Sequence, residues 1–320
     1  MNILAPLDKI KEIEALIEAG ATELFCGFNP GIWKANYSKY SSTNRREWSQ
    51  CNLSSIDELK LAVRRAHYSK TKIYLVANSS FYAQQQMKLL FNIIKSATKT
   101  GIDGIIVGDI ALIREIHSKI PNLQMHLSVG SSVLNSYSVR FYKKLGISRI
   151  ILPRHLTISE IKEIVQNSPD LEFEAIVFND GCSNLDGFCN TLHGIGKFEE
   201  RQLYCTVPAT ITVETQPPFK ATPRQIRTVR SRFAHRNDYL SITCGTCALY
   251  DFNKIGLNSV KIAGRGEKTK KKVRTIAFIK KIINELPHTK NKELFKKKAS
   301  ALFQETFKQS CSFGKCYYPI

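Results

Sequence analysis

The sequence predicts an α/β fold: a (β/α)8 barrel of the TIM type with a cysteine-rich insertion and a basic helical tail. Eight short apolar segments alternate with amphipathic helical segments, and one long irregular stretch interrupts them. The 320 residues are 43% hydrophobic, which is enough to bury a core and excludes a disordered or collagen-like chain. We therefore expect a barrel from residues 1–180 and 259–286, an insertion at residues 181–258 and a tail at residues 287–320.

The predicted strands are short apolar runs, and their number favours a closed barrel over an open doubly wound sheet. In chain order they are Ile3–Pro6, Glu23–Phe28, Lys72–Asn78, Gly104–Asp109, Gln124–Val129, Arg149–Arg154, Glu172–Asn179 and Ser259–Gly264.

The predicted helices carry apolar residues at three- and four-residue spacing. In the first of them, Ile10, Ile13 and Ile17 share a face that ends at Gly20. Thr157 followed by Glu160 is a capping box, which predicts a helix start. In chain order the helices are Asp8–Gly20, Ser54–Tyr68, Gln84–Thr100, Ala111–Lys119, Ser136–Gly146, Thr157–Asn167 and Lys270–Leu286.

Polar residues recur where the predicted strands end, and these ends form the active-site face of such barrels. Each of these residues alone is typical of a helix cap or a loop, but their common position at the strand ends favours a functional site. Glu174 lies within the seventh strand near the cysteines, where it is a candidate acid or base, or a partner of Arg154. His126, within the fifth strand, is either a core residue or a substrate contact. The candidate catalytic residues are Glu174, Arg154 and Asp109, and the candidate substrate-binding residues are His126, Ser128, Asn179, Lys261 and Arg265.

Positive charge is concentrated in the last third of the chain. Residues 220–320 hold 23 basic and 6 acidic side chains, whereas residues 1–219 hold 24 and 21. This asymmetry predicts an anionic partner such as RNA, an acidic membrane surface or an anionic small molecule, unless it is only a solvated basic face. Lys268, Lys270, Lys271 and Lys272 are candidate RNA contacts. No apolar run is long enough to span a bilayer, and the charged N-terminal segment is unlike a secretory signal, so we expect a soluble cytoplasmic protein.

Seven of the nine cysteines follow residue 180. In a chain without a secretory signal, such a cluster more often binds metal or performs redox chemistry than forms disulfides. Only Cys244 and Cys247 within the insertion form a close pair, and the wider spacing of Cys182, Cys189 and Cys205 favours an iron–sulfur cluster over zinc or unligated thiols. Cys26, within a strand, reads as a small buried hydrophobe.

The run EFEAIVFNDGCSNLDGFCN, the later Cys205 and the segment NSVKIAGRG together resemble the U-32 (collagenase-like) peptidase family. The resemblance implies a distorted barrel and a 4Fe–4S cluster held by Cys182, Cys189, Cys205 and either Cys244 or Cys247. The family's late Lys-Ile-Glu-Gly-Arg motif has alanine at position 263 in this sequence, so the role of that glutamate is not carried over. Cys311 and Cys316 lie outside the family's four ligands and suggest a second cluster or a redox dithiol.

The resemblance leaves three functions open. Some members are oxygen-independent hydroxylases of RNA bases or of an aromatic quinone precursor, with prephenate as the implied oxygen source in some, and Arg154, Lys261 and Arg265 would then hold an anionic substrate. A peptidase is the second function, although none of the histidines lies in a recognised nucleophile motif. A non-catalytic iron–sulfur scaffold or electron-transfer subunit is the third, and the resemblance also implies a partner subunit of the same family.

Overall fold

The computed structural model describes residues 1–37, 41–46, 49–179, 186–188, 218, 220–223, 243–311 and 316–318. Within them, eight parallel strands close into a barrel, because β1 pairs with β2 on one side and with β9 on the other. A ninth strand, β3, is only two residues long and pairs with the end of β2 outside the cylinder. The strands are β1 (Asn2–Leu7), β2 (Glu23–Phe28), β3 (Asn52–Leu53), β4 (Lys72–Ala77), β5 (Gly104–Val107), β6 (Gln124–Leu127), β7 (Ile147–Leu152), β8 (Glu172–Phe178) and β9 (Ser259–Ile262).

Helices follow the strands, as the sequence predicts, and five of the ten helices in the described ranges begin at a side-chain cap. The capping box of Thr157 and Glu160 is confirmed, and Ser55 caps the helix at residues 56–68 by accepting a hydrogen bond from the Glu58 amide. The helices are α1 (Ile13–Glu18), α2 (Gly31–Tyr37), α3 (Ile56–Tyr68), α4 (Gln84–Thr98), α5 (Ile110–Lys119), α6 (Ser136–Lys144), α7 (Ile158–Gln166), α8 (Leu249–Ile255), α9 (Thr269–Glu285) and α10 (Lys292–Phe307).

Two apolar clusters stabilise the barrel. The larger lies between the strands and the surrounding helices, and the smaller fills the interior with Leu4, Phe25, Tyr74 and their neighbours. The tail helix α10 joins the larger cluster, since Phe303 and Phe307 stack around Phe178 at the end of β8. The aromatic residues of the tail therefore dock it on the barrel.

The predicted insertion, residues 181–258, falls largely outside the described residues. Its last part, from residue 243, packs on the barrel: Leu249 and Phe252 of α8 are buried in the larger cluster and lead directly into β9. None of the helices in the described ranges is long and apolar enough to cross a membrane.

Candidate functional site

The carboxyl ends of the strands form a polar mouth. Asn78, after β4, donates a hydrogen bond from Nδ2 to Ser128 Oγ after β6 at 3.2 Å, and its Oδ1 accepts one from the Arg45 amide at 3.2 Å. The loop that follows β2 is therefore tied across the mouth to two other strands. The predicted site residues Arg154, Asn179 and Arg265 follow β7, β8 and β9 at this same face.

Arg265 is the cation best placed for a ligand. It is 9% exposed, and its Nη1 is buried without a hydrogen-bond partner among the described residues. Burial lowers its pKa to about 10, so the guanidinium remains charged at neutral pH. Such a buried donor without a partner is what a carboxylate or phosphate ligand would satisfy.

Gly27 of β2 makes room for this guanidinium. A Cβ at position 27 would overlap the side chains of both Asn52 and Arg265. Asn29, two residues beyond Gly27, is fully buried, and neither its amide nitrogen nor its amide oxygen has a hydrogen-bond partner in the described part of the chain. Sequence reasoning missed Gly27 and Asn29, because an isolated glycine and an asparagine at a strand end are common in loops.

A chain of alternating charges runs through the barrel interior. Glu174 lies between Lys261 Nζ and Arg149 Nη1, at 3.3 Å from each, and is fully buried. Arg149 in turn holds Glu23 through two hydrogen bonds of 2.7 and 2.9 Å. Burial lowers the pKa of Lys261, and the neighbouring Glu174 only partly restores it. The prediction that Glu174 pairs with Arg154 is wrong, because the strand register places Arg149 and Lys261 beside Glu174 instead.

Arg154 pairs with Asp186, which the sequence analysis did not single out. The guanidinium donates to both carboxylate oxygens at 2.5 and 3.0 Å, and the Arg154 amide adds a third hydrogen bond of 2.8 Å. Burial opposes the charge on Asp186, but Arg154 outweighs it and lowers the pKa of the carboxyl. This pair anchors the loop after β8 to the rim after β7.

His126 lies inside the barrel with its ring centroid 4.3 Å from that of Tyr74. Burial lowers its pKa well below the usual value, and the charges of Arg149 and Lys261 lower it further, so the ring is neutral. Its Nδ1 is buried and has no hydrogen-bond partner within the described ranges. His126 is therefore an interior residue with one unused polar atom, and its contact with substrate stays a prediction.

Two further predicted site residues hold the local backbone. Asp109 caps α5 by accepting from the Leu112 amide at 2.8 Å, and its other oxygen accepts from the Tyr82 amide at 3.2 Å. Asn179 has a positive φ of 62° and donates from its side chain to the Ala263 carbonyl at 3.2 Å. Both residues shape the mouth. The catalytic role of Asp109 and the substrate contact of Asn179 stay predictions.

The predicted cluster ligands Cys182, Cys189 and Cys205 lie outside the described residues. Cys244 forms backbone bridges with Phe178 at the end of β8 and with Cys316 of the tail, and Cys247 follows on the next turn. Burial raises the pKa of Cys244 to about 12 and that of Cys247 to about 11. Within the described ranges, no group of three or more His, Cys, Asp or Glu is arranged to hold a metal ion.

Comparison with known proteins decides the family. The sequence model that represents peptidase family U32 matches residues 8–318, which is nearly the whole chain. The chain belongs to peptidase family U32. The buried Cys26 and Cys51 of this U32 protein have pKa values raised by burial to about 12 and about 11, so neither resembles an activated cysteine nucleophile.

Named relatives of this U32 chain include "tRNA hydroxylation protein P" of Haemophilus influenzae, 29% identical over 205 residues, covering 64% of this chain and 41% of that protein. "tRNA hydroxylation protein P1" of Bacillus subtilis is 23% identical over 298 residues, covering 88% and 63%. The chain thus spans less than half the length of the Haemophilus relative. A putative dihydrodipicolinate synthetase of Pseudomonas aeruginosa, 9% identical, superposes with a TM-score of 0.50 over 96% of this chain and 81% of its own, which reflects the shared fold alone.

Proposed function

We propose that this U32 protein takes part in the hydroxylation of a tRNA base and holds a 4Fe–4S cluster on Cys182, Cys189, Cys205 and one of Cys244 or Cys247. The observation that carries the proposal is the similarity to two proteins named for tRNA hydroxylation, one of which aligns with 88% of the chain. The mouth of the barrel and the charge of the last third support it independently.

At the mouth, Arg265 is suited to bind a small anionic co-substrate. Its Nη1 is buried against Gly27 without a hydrogen-bond partner among the described residues, and the charged guanidinium would pair with a carboxylate. The amide of Asn29 offers one further donor and one acceptor without partners among the described residues. These groups would orient the anion and hold it in a buried setting, where charge pairing is stronger than in water.

The two described candidates for the fourth cluster ligand fit a cofactor at the same face. Cys244 bridges to Phe178, the last residue of β8, so this cysteine lies at the carboxyl end of a barrel strand. An iron–sulfur cluster held there would supply one-electron transfer beside the bound substrate. The role of the protein is then to bind and orient the base and the anion around it.

The exposed lysines at the start of α9 are suited to tRNA phosphates. Lys268 and Lys270 are exposed and follow β9 directly, so they lie at the carboxyl end of the strands. Lys272 is not an RNA contact, in contrast to the sequence-based expectation, because it is buried and pairs with Asp8 and Glu12.

Mass spectrometry of tRNA nucleosides from a deletion strain tests the reaction. We expect one nucleoside to lose one oxygen atom, wild-type protein to restore it, and neither Cys189→Ala nor Arg265→Met to do so. Unchanged tRNA nucleosides in the deletion strain would contradict the proposal, as would full restoration by Cys189→Ala.

Binding of tRNA tests the surface, with a matched control of equal charge. We compare Lys268→Glu/Lys270→Glu with Lys280→Glu/Lys281→Glu, which changes exposed lysines about 16 Å further along α9. The first pair should weaken binding and lower the slope of log affinity against log salt by about 1.5, since each lost phosphate contact removes about 0.7–0.9. Equal losses of tRNA affinity in both double variants would contradict a specific contact at the start of α9, because net charge alone would then explain the binding.

A further inference from the structure

The outer side of α6 carries exposed aromatic and basic side chains. Four such residues lie three or four positions apart along the helix, which places them on one side of it. The opposite side of α6 is buried against the barrel through Val139 and Tyr142. The four residues of this α6 face are Tyr137, Arg140, Phe141 and Lys144.

The two aromatic residues of the α6 face are turned away from the core. Tyr137 is 76% exposed and Phe141 is 50% exposed, and a spacing of four residues makes them neighbours on the helix surface. Isolated exposed apolar residues are common on proteins, whereas contiguous ones mark interaction sites. The Arg140 guanidinium lies 4.4 Å from the Tyr137 ring centroid, and Phe141 packs edge-on against the buried Tyr142 at 5.1 Å. Both rings are therefore supported by neighbouring side chains while much of their surface stays open to solvent.

The charge around the α6 face is positive and is only partly compensated. Residues 116–159 contain six basic side chains and no acidic one. Four of the six form ion pairs with carboxylates from other parts of the chain, namely Lys119, Lys143, Arg149 and Arg154. The remaining two, Arg140 and Lys144, have no carboxylate partner within the described ranges and both belong to the α6 face. This face therefore combines aromatic rings with positive charge, the combination with which proteins bind single-stranded nucleic acids.

The α6 face begins at the mouth of the barrel. Because α6 follows β6 after a short loop, Tyr137 in its first turn lies near the carboxyl ends of the strands. Phe81, in the loop after β4, is a further exposed ring on this rim. The residue after it, Tyr82, is buried and holds the loop in place, since its amide donates to Asp109 at 3.2 Å and its hydroxyl to the Thr43 carbonyl at 2.8 Å.

The α6 face and the exposed lysines of α9 flank the mouth. Around the barrel, β7 and β8 separate β6 from β9, so the helices that follow β6 and β9 begin at well-separated points of the rim. An RNA that contacts Lys268 and Lys270 at one point and Tyr137 at the other would pass over the mouth between them.

We propose that the α6 face binds unpaired nucleotides of the tRNA, with bases stacked on Tyr137 and Phe141 and phosphates paired with Arg140 and Lys144. Unpaired bases can stack on aromatic side chains, whereas the bases of a duplex already stack on one another. The net charge of +20 favours a polyanion over a second copy of this chain, which would be repelled. The inference rests on the proposed function, because it names the part of that substrate which the protein holds.

Fluorescence anisotropy of the full chain with a short labelled single-stranded RNA, and with the same RNA in a duplex, tests the stacking. Tyr137→Ala/Phe141→Ala should weaken binding of the single strand by at least about five-fold, the effect of losing one stacked base, and binding of the duplex by less than about two-fold. Leu61→Ala/Tyr68→Ala is the control and should bind both RNAs like wild type. It also removes two exposed apolar side chains, but from α3, whose last residue, Tyr68, lies at the end of the barrel away from the mouth.

Two further variants separate stacking from charge. Tyr137→Phe/Phe141→Tyr keeps both rings and should bind the single strand like wild type. Arg140→Gln/Lys144→Gln should lower the slope of log affinity against log salt by about 1.4, because each phosphate contact to a single strand contributes about 0.7. Tyr137→Ala/Phe141→Ala should leave this slope unchanged, since it removes no phosphate contact.

Wild-type affinity for the single strand in Tyr137→Ala/Phe141→Ala would overturn the inference, as would an equal loss for single strand and duplex. If that variant binds normally while the deletion strain lacks a hydroxylated nucleoside, the inference fails and the proposed function stands. If the variant loses affinity for the single strand but the deletion strain has unchanged tRNA nucleosides, the α6 face stands as an RNA-binding surface and the proposed reaction fails. A dimer that dissociates in the variant, with RNA affinity unchanged, would assign the face to a second copy and overturn the inference.

Discussion

Replacing Arg149 with methionine tests whether the charges inside the barrel act as one unit. Arg149 is 2% exposed and is bound to Glu23 by two hydrogen bonds, with Glu174 at 3.3 Å. In Arg149→Met, the partners of Glu23 among the described residues are all neutral: the hydroxyls of Ser259 at 3.2 Å and Tyr74 at 3.3 Å, and the Asn2 side-chain amide at 3.4 Å. Breaking a buried ion pair from one side costs about 3–5 kcal/mol, because the remaining charge is left uncompensated.

Urea unfolding measures this loss. Lys143→Met is the control, since its ion pair with Asp170 is exposed and should contribute about 0–1 kcal/mol. Arg149→Met/Glu23→Gln should be more stable than Arg149→Met alone, because the second change removes the unpaired charge. A loss below about 1 kcal/mol in Arg149→Met, equal to the control, would refute the reasoning.

Three further predictions concern the mouth of the barrel and the start of α9. Gly27→Ala should cost about 1–3 kcal/mol of stability, measured by urea unfolding, because the added methyl overlaps two side chains, whereas Gly31→Ala meets open space and should cost nothing. Lys272→Met should cost about 3–5 kcal/mol through its two buried carboxylates, and Lys271→Met, whose pair is partly exposed, about 0–1 kcal/mol. The pKa of Asp186 is lowered on folding, so its contribution to stability is present above the unfolded value of about 3.9 and is lost as the pH falls through the folded value. The urea midpoint of Asp186→Asn should therefore depend less on pH between about pH 5 and about pH 2 than that of the wild type.

The eight barrel strands and most of their helices were predictable because they follow local patterns, whereas α2, β3 and α8 were not predicted. The span Glu23–Phe28 and the cap at Thr157 match the structure, since apolar runs and capping boxes act over a few residues. The partner of Glu174 was not predictable, because it depends on how neighbouring strands are staggered around the barrel.

Lys272 illustrates a second limit of the sequence. It stands in a run of lysines that is typical of an exposed surface, yet it faces inward from α9 and pairs with two carboxylates near the start of the chain. Only the fold brings those residues together. The same holds for Cys247 and Cys316, which line one cavity although they are remote in the sequence. Local spacing cannot predict that two such segments come together.

The closure of β1 on β9 sets the order in which the molecule can be completed during synthesis. Until Ser259–Ile262 has left the ribosome, the nascent chain has exposed edges on both β1 and β8, and neither can be satisfied by its final neighbour. The whole stretch between β8 and β9 is translated before that moment. A delay in the pairing of β9 would therefore leave the unfinished cylinder open along two strand edges and exposed to aggregation.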